Sequence, residues 1–270
     1  MEKTALRPLS VQLYSARAYS AKDGLRSVVE KMAEIGYKGV EPAGFFELRP
    51  RELKKLVEDL GMKIYSSHSP WVRENNVGEC MELAESLGLD RVVCGYGPND
   101  FKDMDAIKRT AELTNKNCEI LRRNGFKLFQ HNHYWEFDRI DGRIKYEIYA
   151  EMCPDVQFQI DTFWATNLGR EDAVEMMKPF ADRTVLLHIK DGEFTQNVEN
   201  AGMNNGLLDI KADMMPLGTG KLPIKDIVAN MPEKVDAVIV ELDYCNTEMY
   251  KALQMSYDYM VQNGLAAGNK

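Results

Sequence analysis

"EIGYKGV", residues 34–40, is the stretch that decides the fold. A helix-like run ends there at Gly36, an apolar and a basic residue follow, and a strand-like run begins. Glycine just past a helix end supplies the left-handed turn that caps it. The apolar residue packs back as the chain enters the strand. The same order returns in "DLGMKIY" (59–65) and "RNGFKLF" (123–129), and in "SLGLDRV" (86–92) with Asp90 ahead of the basic residue; Gly61, Gly125 and Gly88 stand in the place of Gly36. The spacing between these junctions is that of one strand plus one helix.

Working outward, the run before Gly36 carries Leu25, Val28, Val29, Met32 and Ile35 at helical spacing, which predicts one buried stripe. Eight short apolar segments read as strands: "LSVQLYS", "KGVEPAG", "KIYSSHS", "RVVCGYG", "KLFQHNH", "VQFQID", "TVLLHIK" and "AVIVELD". Strands alternating with helices predict a parallel sheet. Eight such units in 270 residues predict a single α/β domain over 1–270, a (β/α)8 TIM barrel. A doubly wound open sheet is the alternative, but the first strand lacks the glycine-rich turn of its nucleotide-binding form. No linker rich in Pro, Ser or Gly divides the chain. The longest connection follows the seventh strand, from Gly192 to Pro223, and is expected to be a lid or substrate-binding loop. Within it "GTGK" (218–221) lacks the spacing of a phosphate-binding loop and reads as a turn.

The net charge of −8 argues against a partner with a phosphate backbone, because such proteins carry basic faces. No apolar run approaches the length that spans a bilayer, so no membrane partner is expected. Cys80, Cys94, Cys118, Cys153 and Cys245 are odd in number and scattered, as expected of free thiols in a reducing cytoplasm. With no apolar leader at the N-terminus, the expected location is cytoplasmic.

In a barrel of this kind the chemistry lies at the C-terminal ends of the strands. All four histidines fall there: His68 after the third strand, His131 and His133 at the fifth, His188 at the seventh. Trp71, Trp135 and Trp164 each follow a strand. Glu41, Glu136, Asp161, Glu241 and Asp243 add acids to the same rim. A lone histidine at a strand end is usually a hydrogen-bonded structural residue, and Asp161 alone reads as a helix cap. Their concentration on one rim favours a functional site. Carboxylates and a neutral imidazole converging on one point suit a divalent ion such as Mn, Co, Fe, Zn or Mg. Strand parity puts His188 and Lys190 on one face, and Ile239, Glu241 and Asp243 on one face.

The chain resembles the xylose isomerase-like TIM-barrel superfamily, in its sugar phosphate isomerase/epimerase branch. The resemblance rests on "VQLYS", "GYKGVE", "HNHYWEF", "QIDTFW", "LLHIKDG", "PLGTGKLPIKDI" and "VIVELDY", in that order. It implies one divalent metal held by four residues, one from each of strands five to eight. Asp161, His188 and Glu241 carry over directly. For strand five the expected ligand is Glu136, with His133 or Gln130 as alternatives. The resemblance also implies isomerisation or epimerisation of a sugar by proton abstraction next to a carbonyl. Glu241 is the expected base, with His131, His133 and Glu136 as further catalytic candidates. Glu41, His68, Trp71, Trp135, Trp164 and Lys190 are expected to contact the sugar. A lyase or dehydratase acting on a keto-sugar or keto-inositol, including glycoside cleavage through a 3-keto intermediate, is the alternative. A non-catalytic sugar-binding relative is another, for which Gln130 speaks. An endonuclease of the same fold is disfavoured by the acidic charge. The expected partner is a small sugar or sugar derivative, with a homodimer as the expected assembly.

Overall fold

The computed structural model describes residues 5–194, 203–204, 207–208, 212–245 and 247–270. Eight strands build its main sheet: β1 Leu9–Gln12, β2 Gly39–Glu41, β3 Lys63–Ile64, β4 Arg91–Cys94, β5 Lys127–His131, β6 Gln157–Asp161, β7 Thr184–Ile189 and β8 Ala237–Val240. Their spatial order is β3-β2-β1-β8-β7-β6-β5-β4, with every neighbouring pair parallel. The sheet curls into the expected α/β barrel. Helices α1 Leu25–Ile35, α2 Pro50–Asp59, α3 Val77–Leu87, α4 Met104–Arg123, α5 Lys145–Met152, α6 Ala173–Met177, α7 Ile224–Ala229 and α8 Met249–Gln262 alternate with the strands.

The junction pattern does what its residues dictate. Gly36, Gly61, Gly88 and Gly125 all have positive φ, where a side chain would be strained. The buried face of α1 is Leu25, Val28, Val29, Met32 and Ile35, the stripe expected from its spacing. The first two N–H groups of α1 are capped from the next loop: Glu47 accepts from Leu25 N at 2.9 Å and Arg26 N at 3.0 Å.

One seam departs from a regular ring. Among the described residues no ladder joins β3 to β4. After Tyr65 the chain leaves the strand path: Ser66 Oγ donates to Glu41, and His68 N–H donates to Pro42 O at 2.8 Å. The seam is joined instead by Val72 N–H to Val93 O, at 2.8 Å. Two apolar layers result. Inside the barrel, Val93, Phe129, Val185, Leu186, Ala237 and Ile239 form a separate small core, with Tyr65 and Trp71 packed on it. The larger layer lies between sheet and helices and buries Val11, Val40, Leu128, Ile160, Leu187 and Val240 from the outer strand faces.

The connection after β7 is not an irregular loop at its base. Residues Asp191–Phe194 pair antiparallel with Ala212–Met215. Most of the expected lid segment beyond this ribbon lies outside the described residues. The "GTGK" turn is filled from within. Asp191 Oδ2 accepts from Gly218 N at 2.8 Å and Gly220 N at 3.0 Å, while Oδ1 accepts from Gly192 N at 2.8 Å and Leu222 N at 3.1 Å. A Cβ at position 220 would meet Asp191 Oδ1 at 2.3 Å, so glycine is required there. Among the described residues no helix is long and apolar enough to cross a membrane.

Candidate metal centre and active site

Strand parity builds the site. On β5, Phe129 belongs to the inner core, so His131 also points inward and Gln130 outward. On β6 the alternation that turns Ile160 outward turns Gln159 and Asp161 inward. On β7 and β8, Leu186 and Ile239 lie in the inner core, and His188 and Glu241 follow two positions later on the same faces. Register brings Asp161 opposite His188. The result is a set of donor atoms on His131, Asp161, His188 and Glu241, all within 4.8 Å of one another and all buried.

This set brings together a strand-five residue other than the expected Glu136. Glu136 is fully buried but lies apart from the donor set, in a 3-10 turn Trp135–Phe137. Its Oε2 turns back to accept from His133 N–H at 3.0 Å, closing the turn that follows β5. Gln130 lies on the outer face with neither side-chain atom hydrogen-bonded. His133 lines the cavity above, stacked on Trp135 at 4.4 Å, outside the four donors. His131 is the strand-five member of the donor set.

Glu41 is the hub beneath. Its Oε1 accepts from Gln12 Nε2 at 2.5 Å and lies 2.6 Å from His188 Nε2 and 3.2 Å from His68 Nε2. Its Oε2 accepts from Gln159 Nε2 at 2.6 Å. Gln159 Oε1 in turn contacts His68 Nε2 at 2.6 Å and His131 Nδ1 at 3.0 Å. Burial would raise the Glu41 carboxyl, but His68 and His188 outweigh it and hold it at about 2. The carboxylate therefore orients His188, as such partners orient metal-ligating imidazoles. The other His188 nitrogen, Nδ1, lies 2.9 Å from Glu241 Oε2. Burial opposes charge on this ring, but Glu41 and Glu241 push it up to about 10. His131 stays neutral: burial first, then His68 and His188, hold it well below its usual range. Burial, followed by Lys190, holds His133 at about 3.

Lys190 is wholly buried among acids. Its Nζ lies 2.9 Å from Asp161 Oδ2, 2.8 Å from Glu241 Oε2 and 2.8 Å from Asp243 Oδ2. Burial works against the ammonium, but Asp161, Asp243 and Glu241 outweigh it and raise its pKa well above the usual range. Glu241 is held well below its ordinary value, since Lys190 and His188 outweigh its burial.

The donor set fits a divalent ion. Asp161 Oδ1 caps the backbone N–H groups of Phe163 at 3.1 Å and Trp164 at 3.0 Å, leaving Oδ2 with the Lys190 ammonium, at 2.9 Å, as its partner. Asp161 is thus both the cap and a donor. Two buried carboxylates and two imidazoles with donor atoms within 4.8 Å of one another are the chemistry of a mixed N/O site.

Above the set opens a cavity of about 260 Å³, lined by Tyr14, Ala43, His68, Trp71, His131, His133, Glu241 and Asp243. Of the expected sugar contacts, His68 and Trp71 line it. Glu41 lies beneath it as partner of His68 and His188. Trp135 backs His133, its indole N–H donating to Tyr96 O at 3.1 Å. Trp164 lies against Lys190, whose Nζ is 5.4 Å from the ring centroid. Lys190 is below the cavity, in the acid cluster. Gln12, Gln159 and Tyr14 join the site without standing out in the sequence. The same inward parity as Glu41 on one strand end and Asp161 on another marks the two glutamines.

The profile of the xylose isomerase-like TIM barrel family matches residues 29–256. No curated protein matches the chain. Among solved structures, a sugar phosphate isomerase/epimerase from Parabacteroides distasonis is similar at 23% identity and a TM-score of 0.70, covering 99% of this chain and 98% of its own. The IOLI protein, solved with a bound zinc atom, matches at 15% identity and TM-score 0.70 over 94% of this chain and 97% of its own. The probable 3-DHS dehydratase AsbF from Bacillus anthracis matches at 14% identity and TM-score 0.67, over 94% and 98%. At these identities the likenesses concern the fold. The family match spans most of the sequence, and the chain belongs to the xylose isomerase-like TIM barrel family.

Proposed function

We propose that the chain is a divalent-metal-dependent sugar isomerase or epimerase. The observation that carries this reading is the convergence of His131, Asp161, His188 and Glu241 on one point beneath a sugar-sized cavity. Those four residues would hold the ion, which when bound supplies Lewis-acid polarisation of a carbonyl. Glu241 is the base: it is held in the ionised form and lines the cavity, placed to take a proton from the carbon next to the carbonyl. His68 and His133 face the same space as neutral rings that hydrogen-bond to sugar hydroxyls. Trp71 offers its indole face to the C–H surface of the sugar and is held by His68, at 4.8 Å between ring centroids. Asn132 fixes the spacing of strands β5 and β6, accepting from Asp161 N at 2.9 Å and donating to Asp161 O at 3.2 Å.

One observation favours a second reading, a lyase acting on a keto-sugar. The strand-five donor is the imidazole of His131, so Glu241 is the one glutamate of the donor set. An asymmetric pair of carboxylate and imidazole suits elimination, where base and acid act on different atoms. The test is solvent deuterium exchange into a panel of ketoses and 3-keto-sugars, with Mn or Zn supplied. Exchange with an isomeric product supports the first reading, and an unsaturated product the second. Binding of sugars with no exchange at any metal would leave a non-catalytic receptor. Glu241→Gln should abolish exchange while the circular dichroism spectrum is unchanged; full exchange in that variant removes the proposed base.

A further inference from the structure

We infer that Lys190 is a built-in competitor for the metal seat, an internal ammonium that sets how tightly the site takes a divalent cation. The inference rests on the metal reading above. It starts from the three acids that share Lys190. Its Nζ pairs with Asp161 Oδ2 at 2.9 Å and with Glu241 Oε2 at 2.8 Å. Its hydrogen bond goes to Asp243 Oδ2, at 2.8 Å. Two of these three acids belong to the donor set, and Asp243 does not.

Charge makes the arrangement consequential. Glu41, Asp161, Glu241 and Asp243 crowd one buried place, and within it Lys190 is the lysine shared by Asp161, Glu241 and Asp243. A cation entering between Asp161 and Glu241 meets an ammonium already touching both oxygens. Like charges at such range in a buried setting repel strongly. The two therefore exclude each other unless Lys190 withdraws. The structure supplies the direction of withdrawal. Asp243 already holds the hydrogen bond, lines the cavity, and is 26% exposed, whereas Asp161 is fully buried. Lys190 can keep Asp243 and release the other two. If the ammonium-in arrangement holds nine times in ten, the apparent metal affinity is reduced about tenfold.

The experiment is a chelator-competition measurement of Mn²⁺ and Zn²⁺ affinity on the full chain, for wild type, Lys190→Met and Asp243→Asn, with thermal melts of each. Lys190→Met keeps the length of the side chain and removes the charge. It should bind metal about tenfold more tightly than wild type, and without metal it should melt at a lower temperature because its acids have lost their cation. Asp243→Asn should act in the opposite sense, weakening metal binding by roughly tenfold although Asp243 is not a donor, because the displaced ammonium has lost its partner. Folded Lys190→Met with wild-type or weaker affinity overturns the inference. Should that variant not fold, Asp243→Asn decides, and an unchanged affinity there overturns it. Failure of the metal reading looks different: neither wild type nor any variant binds either ion.

Discussion

Replacing Glu136 by glutamine should change how the protein's stability depends on pH. The carboxyl is fully buried, accepts one backbone N–H from His133, and has its other oxygen without a hydrogen bond. Burial is the dominant influence and raises its pKa from 4.5 to about 8. Between those values the folded protein holds a proton that the unfolded chain releases. Stability therefore falls as pH rises from about 4.5 and levels off above about 8. Across that window each pH unit costs about 1.4 kcal/mol, so the whole of it is worth on the order of 5 kcal/mol. That is a large share of the roughly 5–15 kcal/mol that stabilises a typical domain. Glutamine keeps the acceptor for His133 N–H and cannot ionise. It carries a pH-independent cost of about 1–3 kcal/mol for a buried amide group with incomplete hydrogen bonding. The assay is urea unfolding of wild type and Glu136→Gln at pH 5, 7 and 9. The variant should be the less stable at pH 5 and gain steadily on wild type, by several kcal/mol at pH 9. Other groups titrate in both proteins and cancel in the difference. Parallel stability curves across the window would refute the reasoning and mean that Glu136 is ionised when folded.

Three further outcomes follow from the packing around the site. Glu41→Gln should weaken Mn²⁺ or Zn²⁺ binding by about 10–100-fold in calorimetric titrations, because the neutral amide no longer orients His188 through the 2.6 Å contact to its Nε2. Gly95→Ala should lower stability by about 1–3 kcal/mol and shift the tryptophan fluorescence, since a Cβ there would lie 2.0 Å from the Trp71 indole; a melt and emission spectrum identical to wild type would contradict this placement of Trp71. Phe129→Ala should cost about 3–5 kcal/mol in chemical denaturation, because the ring fills the small inner core and its neighbours there cannot collapse around the gap.

The barrel is legible in the sequence because its signals are local. The Gly36-type junctions mark a backbone conformation that a single residue type supplies, and the α1 stripe repeats at the helical period. The donors Asp161, His188 and Glu241 are also readable, since they end strands with polar residues in otherwise apolar runs. Strand five is harder to read for a physical reason. A parallel strand is apolar on both faces, so "KLFQH" carries no sign of which face is the barrel interior. Leu128 with Gln130 and Phe129 with His131 are equally good inward sets until neighbouring strands fix the phase. Glu136 enters the expected donor set through the resemblance carried by "HNHYWEF", which does not show the turn that points the carboxylate back at His133. The seam between β3 and β4 and the Asp191 contacts depend on partners far apart in sequence, which no short window contains.

The four backbone N–H groups gathered by Asp191 have a consequence for how this barrel can vary. They tie the end of β7 to the turn before α7, so the chain between the two ribbon strands leaves and returns through one fixed base. Adding residues to a segment whose ends are already pinned costs only a slowly growing entropy. The base is in effect a socket, which holds His188 and Lys190 in place whatever length of chain it carries.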